Sequence, residues 1–356
     1  MPENPLPENQ LPAKRLRENR LTVSGLSESE LLDRIFPRLA LDSHHGAAML
    51  LGPGDDAAIV AAPDGRTVIS IDTQVQDQDF RLEWPNGYRT TGFDVGWKAA
   101  AQNLSDINAM GATATSIVVS LTLPLETPVS WVEDLADGLT AGIRNLGAQG
   151  CSVAGGDLGR GREISVSAAV LGTLSGGAAV LRSGARPGDV LALAGTVGKA
   201  AAGLALLESA IGYGTLTPEQ RNLISLQCRP LPPLAAGPMA RTGGATAMLD
   251  ISDGLLRDGT RMARASNVIL DFDPQELVRL AAALEPASTL LNTDPMRWVL
   301  AGGEDHGLLA TFPPGVQLPA GFTAIGSVQA PGDNESPGIK IAGQAADTGG
   351  WDHFAH

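Results

Sequence analysis

Apolar residues recur along this chain with two periods, and the switching between them marks out its elements. Leu31, Leu32, Ile35 and Leu39 repeat at helical spacing behind Ser27-Glu28-Ser29-Glu30, where Ser27 and Glu30 stand at capping-box positions. Residues 67–71 are β-branched and read as a strand. A helix is expected from a cap at Asp94 to Met110, with Gly111 as its stop. Residues 116–123 read as a strand ended by Pro124. Val132, Leu135, Leu139, Ile143 and Leu146 then mark a helix over 129–146, closed by Gly147. Strands are expected at 151–154 and 163–174.

The run Arg182-Ser183-Gly184-Ala185-Arg186-Pro187-Gly188-Asp189 is rich in turn residues and reads as a boundary. Beyond it a second pattern begins: a strand at 190–194, a helix from Gly198, further helices to about 242, and a strand at 246–249. A helix after Gly254, a strand at 268–272 and late strands near 308–312, 323–328 and 338–342 complete it. The expectation is an α/β (α+β) fold of two domains, 26–175 and 182–356, each a mixed sheet covered by helices. Residues 1–25 carry Pro2, Pro5, Pro7 and Pro12 among polar and charged residues and read as a disordered tail.

Composition narrows the function. A net charge of -14 argues against nucleic acid and against an anionic membrane surface, since both are held by Lys and Arg. An acidic protein can still hold a nucleotide if metal ions supply the positive charge. Cys151 and Cys228 form neither a disulfide framework nor a zinc spacing and read as small core residues. The N-terminus has no apolar signal region, and no apolar run is long enough to span a bilayer, so a cytoplasmic protein is expected.

The aspartates carry the candidate chemistry, because they gather where apolar runs stop. Gly54-Asp55-Asp56 precedes one such run; Asp72, Asp106 and Asp157 follow others. Met248-Leu249 leads into Asp250-Ile251-Ser252-Asp253, and Val299-Leu300 into Gly302-Gly303-Glu304-Asp305. Singly, each reads as well as a turn, a helix cap or a solvated residue. Together they would repel, by roughly 4 kcal/mol for a pair about 4 Å apart at an effective dielectric near 20, unless cations sit among them. Carboxylate oxygens are the ligands Mg²⁺ favours, alongside water and phosphate. A Walker A loop is not found: Gly195-Thr196-Val197-Gly198-Lys199-Ala200 lacks the leading Gly and the hydroxyl, and reads as an ordinary strand-to-helix turn more readily than as backbone N–H groups offered to a phosphate at a helix N-terminus.

These motifs, in this order, resemble the thiamine-monophosphate kinase family. They are Gly54-Asp55-Asp56-Ala57-Ala58, Ser70-Ile71-Asp72-Thr73, Lys98 through Asn103-Leu104-Ser105-Asp106 to Ala109-Met110-Gly111-Ala112, and Gly155-Gly156-Asp157. The Arg182–Asp189 run, Asp250-Ile251-Ser252-Asp253-Gly254-Leu255, Gly302-Gly303-Glu304-Asp305 and Trp351-Asp352-His353-Phe354 follow. The resemblance spans about 28–356, and several motifs are shared with the wider aminoimidazole-ribonucleotide-synthetase-like superfamily. It implies that superfamily's two-domain fold, a homodimer built through the N-terminal domains, ATP as co-substrate, thiamine monophosphate as acceptor and several Mg²⁺ ions.

By position, Asp56, Ser70, Asp72, Asp106, Asp157, Asp250 and Asp253 match metal ligands of the family, with Ile71 contributing at most through its backbone. Asp106, Asp157 and Asp250 are the expected catalytic set. Gly156, Asp157, Arg182 and Ser252 match ATP contacts, and Glu304 and Trp351 match substrate contacts. Asp79 stands where relatives often have His and is expected to meet the thiazolium. The acceptor phosphate, with a second pKa near about 6, is already a nucleophilic anion at neutral pH, so no strong general base is required. Other functions of the superfamily fit less well. Selenophosphate synthetase expects a reactive N-terminal Cys, a hydrogenase-maturation relative ends in a functional Cys, and the Gly302–Asp305 and terminal Trp-Asp-His-Phe signatures favour the kinase over the purine-pathway ring-closing ligase. A non-catalytic nucleotide- or metal-binding relative is the remaining alternative.

Overall fold

A computed structural model of the protein describes residues 21–39, 49–51 and 58–346. Most of the expected tail, Asp56 and Trp351 lie outside the described residues.

The first half begins with α1 (Glu28–Leu39), capped as expected: Ser27 N–H donates to Glu30 Oε2 at 2.8 Å and Glu30 N–H to Ser27 Oγ at 3.3 Å. A short pair, β1 (Met49–Leu51) and β2 (Ile59–Val60), leads to β3 (Val68–Val75), α2 (Gly92–Ala109), β4 (Thr113–Leu123), α3 (Val129–Asn145), β5 (Ser152–Arg160) and β6 (Ser165–Thr173). The last four strands make one sheet in the order β3-β6-β4-β5, antiparallel except for the parallel β4–β5 pair. One face of this sheet packs on α2 and α3 through Leu104, Ile107, Leu139, Ile143, Ile117 and Val170. On the other face Ile69 and Ile71 are 66% and 65% exposed.

Helices α2 and α3 touch backbone to backbone. A Cβ on Gly96 would lie 2.0 Å from Leu135 O, and one on Gly138 would lie 2.1 Å from Phe93 O. Only glycine allows that approach, and it locks α2 in place. That matters because α2 carries Lys98, Asn103, Ser105 and Asp106.

The second half holds β7 (Val190–Ala194), α4 (Lys199–Glu208), α5 (Pro218–Cys228), α6 (Ala236–Thr242), β8 (Ala247–Ile251), α7 (Leu255–Ser266) and β9 (Ile269–Phe272). Then come α8 (Pro274–Ala282), α9 (Glu285–Leu291), α10 (Pro295–Ala301), β10 (Gly307–Phe312), β11 (Phe322–Gln329), β12 (Gly338–Ile341) and β13 (Gln344–Ala345). Its sheet runs β13-β12-β9-β11-β7-β10-β8, mostly antiparallel, with β12 parallel to β9. Small side chains on one face, including Ala192, Ala194 and Ala310, pack with Ala236 and Ala240 of α6 and with Ala109 at the end of α2. The two sheets are thus joined through α2.

Several boundaries differ from the sequence reading. Thr91, not Asp94, caps α2: its Oγ1 accepts from Asp94 N–H at 3.2 Å while Asp94 returns the bond as the third residue of a capping box. Strand β5 continues to Arg160, so Asp157 lies inside a strand and not at its end. The strand persists because Gly156 lets β5 close on β4, where an added Cβ would sit 2.1 Å from Val119 O. Asp72 is likewise internal to β3, whose pairing with β6 runs on to Val75–Ser165. Helices α8, α9 and α10 lie where the sequence reading placed no element, although Asp273 and Asp294 cap α8 and α10 just ahead of a proline. Both cysteines are buried free thiols, as read.

Candidate functional site

Three of the predicted carboxylates converge where α2 meets the second sheet. On β3, Ser70 and Asp72 face α2: Ser70 Oγ donates to Asp106 Oδ2 at 2.5 Å, and Asp72 N–H donates to Asn103 Oδ1 at 3.3 Å. Asn103 is fully buried. From the opposite side, Asp250 of β8 accepts from Ser105 Oγ at 3.0 Å, and its same oxygen lies 3.4 Å from His306 Nδ1.

The electrostatics show how crowded the cluster is. Burial first, then the charges of Asp250 and Asp72, push the Asp106 carboxyl up to about 7. Burial also raises Asp72, opposed by His306 and reinforced by Asp250. Burial disfavours a charged His306, yet the hydrogen bond and charge of Asp250, with Glu304 and Asp106 behind them, outweigh it and raise its pKa.

This donor set fits Mg²⁺. Among the described residues no three His, Cys, Asp or Glu side chains enclose an ion by themselves. Mg²⁺ typically keeps several waters and takes one or two carboxylates plus substrate phosphates, so it does not need a closed carboxylate cage. When bound, such ions would neutralise phosphate charge and align the donor and acceptor groups.

Two neighbouring turns bring the expected nucleotide and substrate contacts together. Glu304 N–H donates to Ser252 O at 2.8 Å, and a Cβ on Gly303 would lie 2.2 Å from that oxygen. Glu304 has φ 67°, a left-handed conformation uncommon for a non-glycine residue. Its carboxylate pairs with Lys98 Nζ and accepts from Gln227 Nε2 at 2.8 Å. Burial works against its charge, but Lys98 prevails and holds the carboxyl below the usual range. Asp79 closes the turn after β3, its Oδ2 accepting from Val75 N–H at 2.7 Å.

Other predicted residues fall elsewhere. Asp253 pairs with Arg261 at 2.7 Å and lies 3.8 Å from Arg257. Arg182 is exposed, and its carbonyl accepts from Ser266 Oγ at 2.7 Å. The Ile71 side chain points to the exposed face of the first sheet. Gly156 and Asp157 lie on β5, at the far edge of the sheet from β3. Asp157 pairs in register with Ser120, Ser120 with Ser167, and Ser167 with Thr73, a row on the same face as Ile69 and Ile71. Asp72 points to the other face, so one chain does not bring Asp157 to Asp72 and Asp106. Three strand spacings set β3 and β5 about 14 Å apart.

The glycine-rich turn before α4 is a structural feature. Asp305 Oδ1 accepts from Lys199 N–H at 3.2 Å and from Thr196 Oγ1 at 2.8 Å, while Oδ2 accepts from Ala200 N–H at 3.0 Å. The helix N-terminus that could have met a phosphate holds this carboxylate. Lys98, Ser105, Gln227 and His306 were not assigned roles from sequence. Lys98 left a signal as a charge among Trp97, Ala99, Ala100 and Ala101, and Ser105 as the neighbour of Asp106 in its motif.

Known proteins resemble this chain over most of its length. The family described as AIR synthase related protein, N-terminal domain, matches residues 54–174. The thiamine-monophosphate kinase of Mycobacterium tuberculosis is 46% identical over 308 residues, 86% of each chain. That of Corynebacterium glutamicum is 38% identical over 283 residues, 77% of this chain and 80% of the relative. Among solved structures, thiamine-monophosphate kinase from Stenotrophomonas maltophilia K279a has a TM-score of 0.73 at 32% identity, covering 90% of this chain and 98% of that one. AaThiL complexed with AMPPCP and TMP has a TM-score of 0.72 at 28% identity, covering 94% and 99%. With this identity sustained over most of both chains, the protein belongs to the thiamine-monophosphate kinase family, a family of enzymes built on the AIR-synthase-like fold.

Proposed function

We propose that the protein transfers the γ-phosphoryl group of ATP to thiamine monophosphate, yielding thiamine diphosphate as the final step of that cofactor's synthesis. The carrying observation is the junction itself: Ser252 and Glu304, expected to meet nucleotide and acceptor, share a backbone hydrogen bond beside Asp72, Asp106 and Asp250. The relative's complex with an ATP analogue and TMP supports the same pairing of ligands.

In this reading Asp72, Asp106 and Asp250 would hold Mg²⁺, which would supply charge neutralisation for the two polyanions. Ser70 and Ser105 orient the carboxylates, and Ser252 and Arg182 serve the nucleotide. Glu304 and Asp79 face the cationic acceptor, and Trp351 joins them by stacking. The acceptor phosphate needs no proton removed at neutral pH, so the work of the chain is alignment and charge compensation.

The proposal includes the two domains 26–175 and 182–356, a cytoplasmic setting and a homodimer formed through the exposed face of the first sheet. Ile69 and Ile71 supply its apolar surface. Asp157, on that face, would then serve the metal centre of a second copy. Asp56 and Asp253 complete the proposed metal set, Asp253 after exchanging its arginine partners.

The test is direct: purified protein with ATP, Mg²⁺ and thiamine monophosphate, with thiamine diphosphate followed by chromatography. Formation of thiamine diphosphate in step with ADP is expected; ATP consumption without it would point to another chemistry of the superfamily.

A further inference from the structure

Lys98 is the most deeply buried cation at the junction, with 4% of its side chain exposed. It lies in α2 between Trp97 and Ala99, both buried, where an apolar residue would pack at lower cost. Its ammonium is fixed by groups from both halves of the chain. Nζ pairs with Glu304 Oε2, and it donates to the backbone oxygen of Asp79 at 3.4 Å. Gln227 Nε2 donates to the same Glu304 oxygen at 2.8 Å.

We infer that Lys98 is a positioning residue for the acceptor, holding the Asp79 turn and the Glu304 side chain in one recognition face before the substrate arrives. The inference rests on thiamine monophosphate being that acceptor. Charge supports it. Asp79 and Glu304 carry two negative charges and Lys98 one positive, leaving a single negative charge to meet one thiazolium. Geometry supports it too. Glu304 sits in a left-handed backbone conformation that glycine would adopt at less cost, so its side chain is the reason for its presence. Lys98, Asp79, Gln227 and Gln74 line one small cavity, and the buried Gln74 Oε1 has no hydrogen-bond partner there. That oxygen stands beside the Lys98 ammonium and the Asp79 turn, in a space about the size of one water.

A double-mutant cycle tests this with Lys98→Met, Glu304→Gln and the pair together, measuring KM for thiamine monophosphate and for ATP separately. Each single variant is expected to raise KM for thiamine monophosphate about tenfold or more while KM for ATP stays within about twofold. The double variant should be worse than Glu304→Gln alone, through the lost hold on the Asp79 turn, yet fall short of the product of the two single effects, because Lys98 acts in part through Glu304. If Lys98→Met alone fails to fold, the double variant removes both charges together, and a KM for thiamine monophosphate no higher than that of Glu304→Gln would then overturn the inference. Additive effects, or equal rises in both KM values, would overturn the inference. A wild-type enzyme that ignores thiamine monophosphate would overturn the proposed function and this inference together. A wild type that turns it over beside unimpaired Lys98 variants overturns this inference alone.

Discussion

Ser105 Oγ donates to Asp250 Oδ2 at 3.0 Å, tying the central helix of the first half to an edge strand of the second. The bond holds Asp250 across from Asp106, which Ser70 holds from the other side. Neither carboxylate is free to turn away from its neighbours, and their mutual repulsion is built into the fold.

Asp106→Asn relieves that repulsion without changing size. The variant should melt at or above the wild-type temperature without metal, yet bind Mg²⁺ more weakly and lose several orders of magnitude in kcat. Calorimetry with Mg²⁺ and a thermal melt check the two halves of this expectation. Near-normal turnover at limiting Mg²⁺ would remove Asp106 from the metal centre.

The same carboxyl sets a pH dependence. Its pKa rises from 3.8 to about 7 on folding, so in metal-free protein its stability contribution is present below about pH 4 and lost as pH climbs through 7. In the proposed reading Mg²⁺ would bind the ionised form and remove the penalty. The rise in Tm on adding saturating Mg²⁺ should therefore be larger at pH 8 than at pH 5.5. An equal rise at both would show that the ions bind elsewhere.

Asp157 and Asp106 should complement one another between chains. Asp106→Asn and Asp157→Asn are each expected to be inactive, while a refolded mixture regains roughly a quarter of wild-type activity, since half the dimers are hybrids with one intact site. Ile71→Lys, which places a charge on the exposed sheet face, should yield monomers in sedimentation and abolish that recovery. Full inactivity of the mixture with dimers intact would confine Asp157 to its own chain.

Gly138→Val should prevent folding, because the new Cβ falls 2.1 Å from Phe93 O, on backbone that cannot move aside. Gly214→Ala, with nothing within 4 Å of the added carbon, should melt like the wild type. Circular dichroism on both settles whether the α2–α3 contact is as close as described.

Most elements were legible because their apolar period was strong. Val190–Ala194 was placed to the residue, and the Ser27–Glu30 cap was visible as a spacing. The chemistry of the aspartates was legible as composition and order. Their geometry was not, because it depends on pairing between distant strands. Whether Asp72 and Asp157 share a face is decided by the register of β3, β6, β4 and β5, and nothing local to either residue encodes it. Lys98 and His306 were missed for the same reason: their partners lie 206 and 56 residues away.

The loop after β3 reaches out of its own half. Trp84, 6% exposed, belongs to the core around Leu206, Leu207 and Leu223, Asn86 Nδ2 donates to Leu206 O at 3.1 Å, and Tyr213 N–H donates to Asn86 O at 2.7 Å. A fragment cut near residue 175 would carry an indole with nowhere to put it, and the remainder would keep the hole. The two halves are therefore not interchangeable modules. Recombination that swapped one for a distant relative's would have to carry this loop's socket with it.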